Sequence, residues 1–340
     1  MKRVKIKLVA LLFLIMTIVN PMSTVFADNN IETETIINQY IDSIKSNKWD
    51  EYVGLFNYDE DVKKDLLLFL KDSKNQAKKE GIHGIQNVKL VSIELSTDPQ
   101  FTSQGDYVYD VLLDMKVNKA SEFYMNGVTR HIFVLKMTSD GLKIETVYFK
   151  GLVDKENGSY NINLIPMDPE PRPIPTQIKL YDTSQSVLKT LNFNTYIKDV
   201  MPNEIYVTWP TESLKANILA AKTYAWYNIE NPRTPATIYN AHVTDQWTSY
   251  QHYKEGSNHP TTNNLVDLMN SYIMVRGQGP FDAQYRAGTQ GVIGTQDSGE
   301  LKQWGTVVLA NNGYKYYEIL DYYYTNMVVV NYYPYPNIIM

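Results

Sequence analysis

The sequence predicts an α+β protein in two parts: N-terminal helices followed by a four-stranded antiparallel sheet, then a second domain of mixed α/β character. Three observations carry this reading. Helical periodicity runs through much of residues 31–79, and four segments rich in Val, Ile, Tyr and Phe follow between 88 and 150. Prolines at 166, 169, 171, 173 and 175 then forbid a helix or a central strand.

In residues 31–44, Ile36, Ile37, Tyr40, Ile41 and Ile44 fall on one helical face. Residues 49–56 and 59–79 read as further helices, the second carrying Leu66, Leu67, Leu68, Phe69 and Leu70 and a lysine-rich end. Strands are expected at 88–95, 107–117, 129–137 and 143–150, with Ser139, Asp140 and Gly141 turning the last hairpin. Beyond the prolines, 178–181 and 187–191 read as short strands and 194–200 as a short helix. A long helix is expected from Thr211, with Thr211 as N-cap, Glu212 stabilising the first turn, and Leu214, Ile218, Ala221 and Ala225 on one face. The expected organisation is a leader at 1–27, an accessory domain at 28–165, a proline linker at 166–177 and a second domain at 178–340.

The chain has 340 residues, 44% of them hydrophobic, enough to bury a core in each part. With 32 basic and 37 acidic side chains the formal charge is −5, which offers no electrostatic footprint for nucleic acid. The absence of Cys excludes disulfides, thiolate nucleophiles and thiolate zinc sites. Lys2, Arg3, Lys5 and Lys7 precede an apolar run over 8–19, and Val25 and Ala27 occupy the −3 and −1 positions of a secretory cleavage site. The mature chain then begins at Asp28 with a charge of −9, secreted or associated with the cell envelope. An uncleaved membrane anchor is the alternative, although Asn20 and Pro21 interrupt the apolar run early. Of the 27 Tyr, 19 lie after Thr176, as do four of the five Trp, so the composition changes across the proline segment.

The element order of the first half resembles the cone-shaped fold of the nuclear transport factor 2 superfamily, which hosts enzymes and inert spacers alike. In the second half, Tyr196, Val200, Pro202, Glu204, Trp209, Glu212, Leu214, Lys215, Ala216, Ala220, Ala221, Thr223, Tyr224 and Ala225 fall into one dense pattern. That pattern resembles the SpoIID/LytB family, the sporulation and amidase-enhancer domain of bacterial cell-wall remodelling. Weaker likeness continues through residues 244–247, 274–276, 283–288, 304 and 316–320, so that it covers roughly 176–330. Departures are Ile205 for the usual Met, Asn217 for Gln, Lys222 for Arg, and Gly288 to Gly291 where many relatives have Cys-Gly-Gly.

The resemblance implies a lytic transglycosylase acting on peptidoglycan, with Glu204 as its acid and base. Tyr206, Trp209, Lys215, Gln246, Trp247 and Tyr285 are the expected substrate-binding residues, Lys215 on an exposed helix flank; Tyr250 is a further groove candidate. Glu212 is expected to be structural. No cofactor and no metal are expected. Some relatives bind zinc through His and Cys, and here His242, His252 and His259 are the alternative ligands, at unremarkable spacings. The expected partners are peptidoglycan glycan strands, with a cell-wall amidase or envelope complex as a further one. The competing reading is a non-catalytic wall-binding or amidase-enhancing module.

Overall fold

Helix α1 (Pro21–Lys45) lays Ile36, Ile37, Tyr40, Ile41 and Ile44 against the first sheet, as their spacing requires. The computed structural model describes residues 21–153, 155–156, 159–160, 173–277, 279–331 and 337–338. Residues 1–20 of the expected leader and 166–172 of the proline segment lie outside them. Helices α2 (Trp49–Gly54), α3 (Glu60–Lys71) and α4 (Ser73–Lys78) follow. One helix was expected over 59–79, but Asp72 divides it. Its carboxylate accepts the N–H groups of Lys74 and Asn75 at 2.7 and 3.0 Å and so caps a new helix.

Strands β1 (Ile85–Leu95), β2 (Tyr107–Val117), β3 (Gly127–Thr138) and β4 (Gly141–Leu152) form an antiparallel meander in sequence order. Thr138 pairs with Gly141, whose φ of +93° suits only glycine readily, around the expected turn. Strand β3 is buried on both faces. Phe133 and Leu135 join the core beneath the helices, while Ile132 and Val134 join Phe101, Val108, Tyr148 and Tyr227, the last supplied by the second half. A short hairpin, β5 (Lys155–Glu156) and β6 (Ser159–Tyr160), follows.

In the second half β7 (Gln177–Asp182) pairs with β8 (Val187–Asn192) and, in parallel, with β9 (Val243–Thr244). Helix α5 (Phe193–Glu204) runs into α6 (Thr211–Glu230), and α7 (Pro260–Leu268), α8 (Gln303–Asn311) and α9 (Tyr316–Tyr323) pack around α6. Strand β10 (Tyr272–Val275) pairs with β13 (Val328–Asn331), which also holds β14 (Asn337–Ile338). Strands β11 (Gln284–Arg286) and β12 (Glu300–Lys302) form a parallel pair. Burial extends around α6 rather than along one face. Ala216, Ala220, Ala221 and Ala225 are fully covered, and small side chains let the neighbouring helices approach closely. The N-cap of α6 is Pro210, with Thr211 as the first helical residue, so the helix starts one position earlier than the sequence suggested.

The halves share one apolar cluster that runs from Ile36 in α1 to Val330 in β13. Phe69 of α3 packs edge-on against Tyr181 and Tyr239, which stack at 4.0 Å. The backbone of β4 also meets the second half: Phe149 N–H donates to Pro232 O at 2.9 Å, and Thr234 N–H to Val147 O at 3.1 Å. Glu122 takes part from the other side, accepting from His242 Nε2 at 2.8 Å and from Lys179.

Candidate functional site

Glu204 is the last residue of α5, and Pro202 belongs to the helix, so the helix runs four residues beyond its expected end. Ile205 turns to an extended conformation, with its N–H still bonded to Met201 O at 3.1 Å. The carboxylate therefore sits at the negative end of the helix macrodipole, where ionisation is disfavoured. One oxygen accepts the His252 backbone N–H at 2.7 Å. Burial pushes the carboxyl above its ordinary range, outweighing the His252 N–H and the Gln303 and Tyr285 side chains that favour the ionised form.

Each of these partners is held in place. Asp199, buried on the preceding turn of α5, accepts from Gly256 N–H at 3.2 Å and Asn258 Nδ2 at 3.1 Å, which fixes the loop that carries His252. Gln251 is fully buried; it donates to Tyr285 Oη at 2.8 Å and to Ala221 O at 3.2 Å, and accepts from Tyr196 Oη at 3.1 Å. At the start of α8, Gln303 is set by Thr306, whose hydroxyl donates to Gln303 O at 2.7 Å. Thr306 in turn meets Ser213 at 2.7 Å and Asn217 at 2.9 Å on α6. Two of the departures noted above thus have structural roles. Asn217 completes this buried network, and Lys222 donates to the carbonyls of Met269, Asn270 and Tyr272 at 2.7, 2.8 and 2.9 Å.

Glu204 opens into a groove of about 930 Å³ lined by both halves. Tyr285, Arg286, Gln303, His252, Trp247, Arg233 and Tyr250 line it from the second half, and Asn57, Tyr58, Asp59 and Glu145 from the first. Arg233 stacks on the Tyr250 ring at 4.5 Å and donates to Ser249 O at 2.8 Å, so it braces the loop of Trp247. A second acid, Asp282, is raised by burial and accepts from Gln284 Nε2 at 2.9 Å.

Of the expected binding residues, Trp247 and Tyr285 share the groove with Glu204. Trp247 is 70% exposed, whereas Tyr250 is buried and donates to Arg233 O at 2.9 Å, so its hydroxyl serves the fold. Tyr206 and Trp209 instead join Trp304 in a cluster with ring centroids 4.9 to 5.8 Å apart, beginning two residues beyond Glu204. Lys215 is not on an exposed flank. It is largely covered, paired with Glu212 at 2.8 Å and lying over the Tyr316 ring, because α9 packs there. Glu212 also accepts Tyr316 N–H at 2.9 Å. Gln246 turns away to donate to Asp65 of α3 at 2.7 Å.

The three histidines lie in different places. His242 Nδ1 accepts Lys179 N–H at 3.0 Å, which leaves Nε2 as the donor to Glu122. His259 caps α7 by accepting Thr261 N–H at 3.2 Å, and His252 contributes its backbone to Glu204. Among the described residues no three His, Cys, Asp or Glu side chains gather into a metal site. Asp199, Arg233, Gln251 and Gln303 carry no signal in the sequence, since polar residues in such segments read as surface.

Residues 181–274, which hold Glu204, α6 and the Trp247 loop, match the protein family described as stage II sporulation protein, SpoIID. That segment of the C-terminal half is similar to SpoIID. An uncharacterized protein of Brachyspira hyodysenteriae is 36% identical over 91 residues, 26% of this chain and 23% of the relative. The match thus spans about a quarter of that relative's length. Part of the groove around Glu204, at Asn57, Tyr58, Asp59, Val62 and Glu145, comes from outside the matched segment. No helix among the described residues is long and apolar enough to cross a membrane.

Proposed function

We propose that the chain is an exported enzyme that cleaves peptidoglycan glycan strands as a lytic transglycosylase. The SpoIID domain supports a cell-wall-related role. The observation that carries the catalytic reading is Glu204 itself: a carboxyl raised by burial, lining a groove of about 930 Å³ that also holds the exposed Trp247 ring, with exposed Tyr206 two residues further along the chain.

A carboxyl of raised pKa holds its proton closer to neutral pH, as a general acid must. Glu204 protonates the glycosidic oxygen as the bond from muramyl C1 to that oxygen breaks. The muramyl 6-hydroxyl then bonds to C1, and the Glu204 carboxylate takes up the hydroxyl proton, which closes a 1,6-anhydro ring and restores the acid. Because the nucleophile belongs to the substrate, no second carboxylate at glycosidase spacing is needed. The His252 N–H holds the carboxylate during its ionised interval, which the Gln303 and Tyr285 side chains also favour. Tyr206, Trp209, Trp304 and Trp247 offer faces for the apolar sides of sugar rings.

The test is to incubate protein beginning at Asp28 with intact and amidase-treated peptidoglycan and to look for anhydro-muramyl ends by mass analysis. Wild type should generate them and Glu204→Gln should not. Binding without anhydro product under every substrate condition would replace this reading with the wall-binding module. Export is tested separately by N-terminal sequencing of secreted protein, which should begin at Asp28 rather than Met1.

A further inference from the structure

We propose that the N-terminal half builds a saccharide subsite in the groove of Glu204, in which Asn57, Asp59 and Glu145 act together with the sugar platform of Trp247. This rests on the glycan reading above and extends it to a part of the chain outside the SpoIID match.

The placement is fixed on both sides. Leu55 to Asn57 is fastened to β4, with Asn57 N–H donating to Ile144 O and Ile144 N–H to Leu55 O, both at 2.9 Å. Asn57 Nδ2 donates to Glu145 at 2.9 Å, so amide and carboxylate are presented together. Asp59 precedes α3 yet makes no capping hydrogen bond with its side chain, although that position favours one. In the same groove Trp247 is left 70% exposed while its neighbours are tied down: Gln246 to Asp65 at 2.7 Å, and Ser249 to Arg233 at 2.8 Å. A large ring on a braced loop, lining the groove that holds Glu204, offers its face to a sugar.

The chemistry suits a neutral sugar. Amide and carboxylate groups exchange hydrogen bonds with hydroxyl and acetamido groups, and the indole face takes the C–H side of the ring. The Asp59 and Glu145 carboxylates favour the uncharged N-acetylglucosamine units of the strand over its muramyl carboxylates. Asp65 acts at one remove, as a positioning residue for the platform.

Calorimetric titration of peptide-free glycan oligosaccharides of increasing length into full mature protein carrying Glu204→Gln, which prevents turnover, tests the proposal. Affinity should rise as oligosaccharides become long enough to reach Trp247. Asp59→Asn and Asn57→Ala should each remove about tenfold of that gain, the size expected from one good contact, while short-strand affinity and melting temperature stay unchanged, and Trp247→Ala should weaken long strands by at least as much. Asp65→Asn should reduce the same gain, and Asp65→Glu should restore part of it. Long strands bound equally well by the Asp59 and Trp247 variants would overturn the subsite and leave the glycan reading standing. Loss confined to peptide-bearing strands would assign the wall to stem peptides and likewise overturn it. A parent protein that binds no glycan of any length removes the glycan reading and the subsite together.

Discussion

Glu204 Oε1 and the His252 backbone N–H meet at 2.7 Å, joining the end of α5 to a loop 48 residues further along the chain. This donor favours the ionised carboxylate, but burial and the helix end oppose it, and the net direction is upward.

A carboxyl raised in the folded state contributes its stability fully below its unfolded pKa and loses it as pH rises through the folded value. Glu204→Gln should therefore melt at a higher temperature than wild type at pH 8 and at the same temperature near pH 4. Melting curves at the two pH values check this. In the same variant, cleavage should fall roughly 10²- to 10⁴-fold, the usual loss when a general acid is removed. Wild-type activity should decline with rising pH as Glu204 loses its proton.

Lys222 is fully buried and serves three backbone carbonyls. Lys222→Met keeps the apolar stem but leaves all three without their donor. The expected cost is about 3 kcal/mol or more, given about 1–3 kcal/mol for each buried group left unsatisfied. Urea denaturation measures it, and an unchanged midpoint would refute the account.

The Glu122 carboxyl is held down at about 2, chiefly by the His242 hydrogen bond and further by Lys179, against the effect of burial. A depressed carboxyl contributes stability above its unfolded pKa and loses it as pH falls through the folded value. Glu122→Gln should lower the urea midpoint at pH 7, and the two proteins should converge as pH falls from about 4.5 towards 2. Glu122 is partly exposed, so the difference should also shrink with added salt.

Gly305 lies in α8 against Ile293 O and Tyr323, whose hydroxyl donates to that same carbonyl at 2.5 Å. A Cβ there would overlap both atoms. Gly305→Ala should destabilise the protein by about 1–3 kcal/mol despite alanine's better helix propensity. Because Gln303 begins the same helix, cleavage should fall as well; a more stable variant would show that the close approach is not required.

Glu204 and α6 could be read from sequence because their signals are contiguous. The spacing of Leu214, Ile218, Ala221 and Ala225 and the Pro202 to Glu204 pattern need no knowledge of distant chain. The four-stranded sheet was legible for the same reason, since each strand announces itself in Val, Ile, Tyr and Phe and each neighbour is next in sequence. Asp72 was missed because the apolar periodicity around it masks a cap. The bond from Gln246 to Asp65 could not be read from sequence, because the two lie 181 positions apart. Asp199, Gln251 and Gln303 likewise acquire meaning only through contacts across the fold.

The apolar cluster and backbone pairing common to both halves mean that peptide continuity is not what unites them. A chain cut between residues 166 and 172 should persist as a tight heterodimer, its two fragments eluting together until denaturant parts them. Produced as separate polypeptides, the fragments amount to a split protein, with a complete groove regained only on reunion.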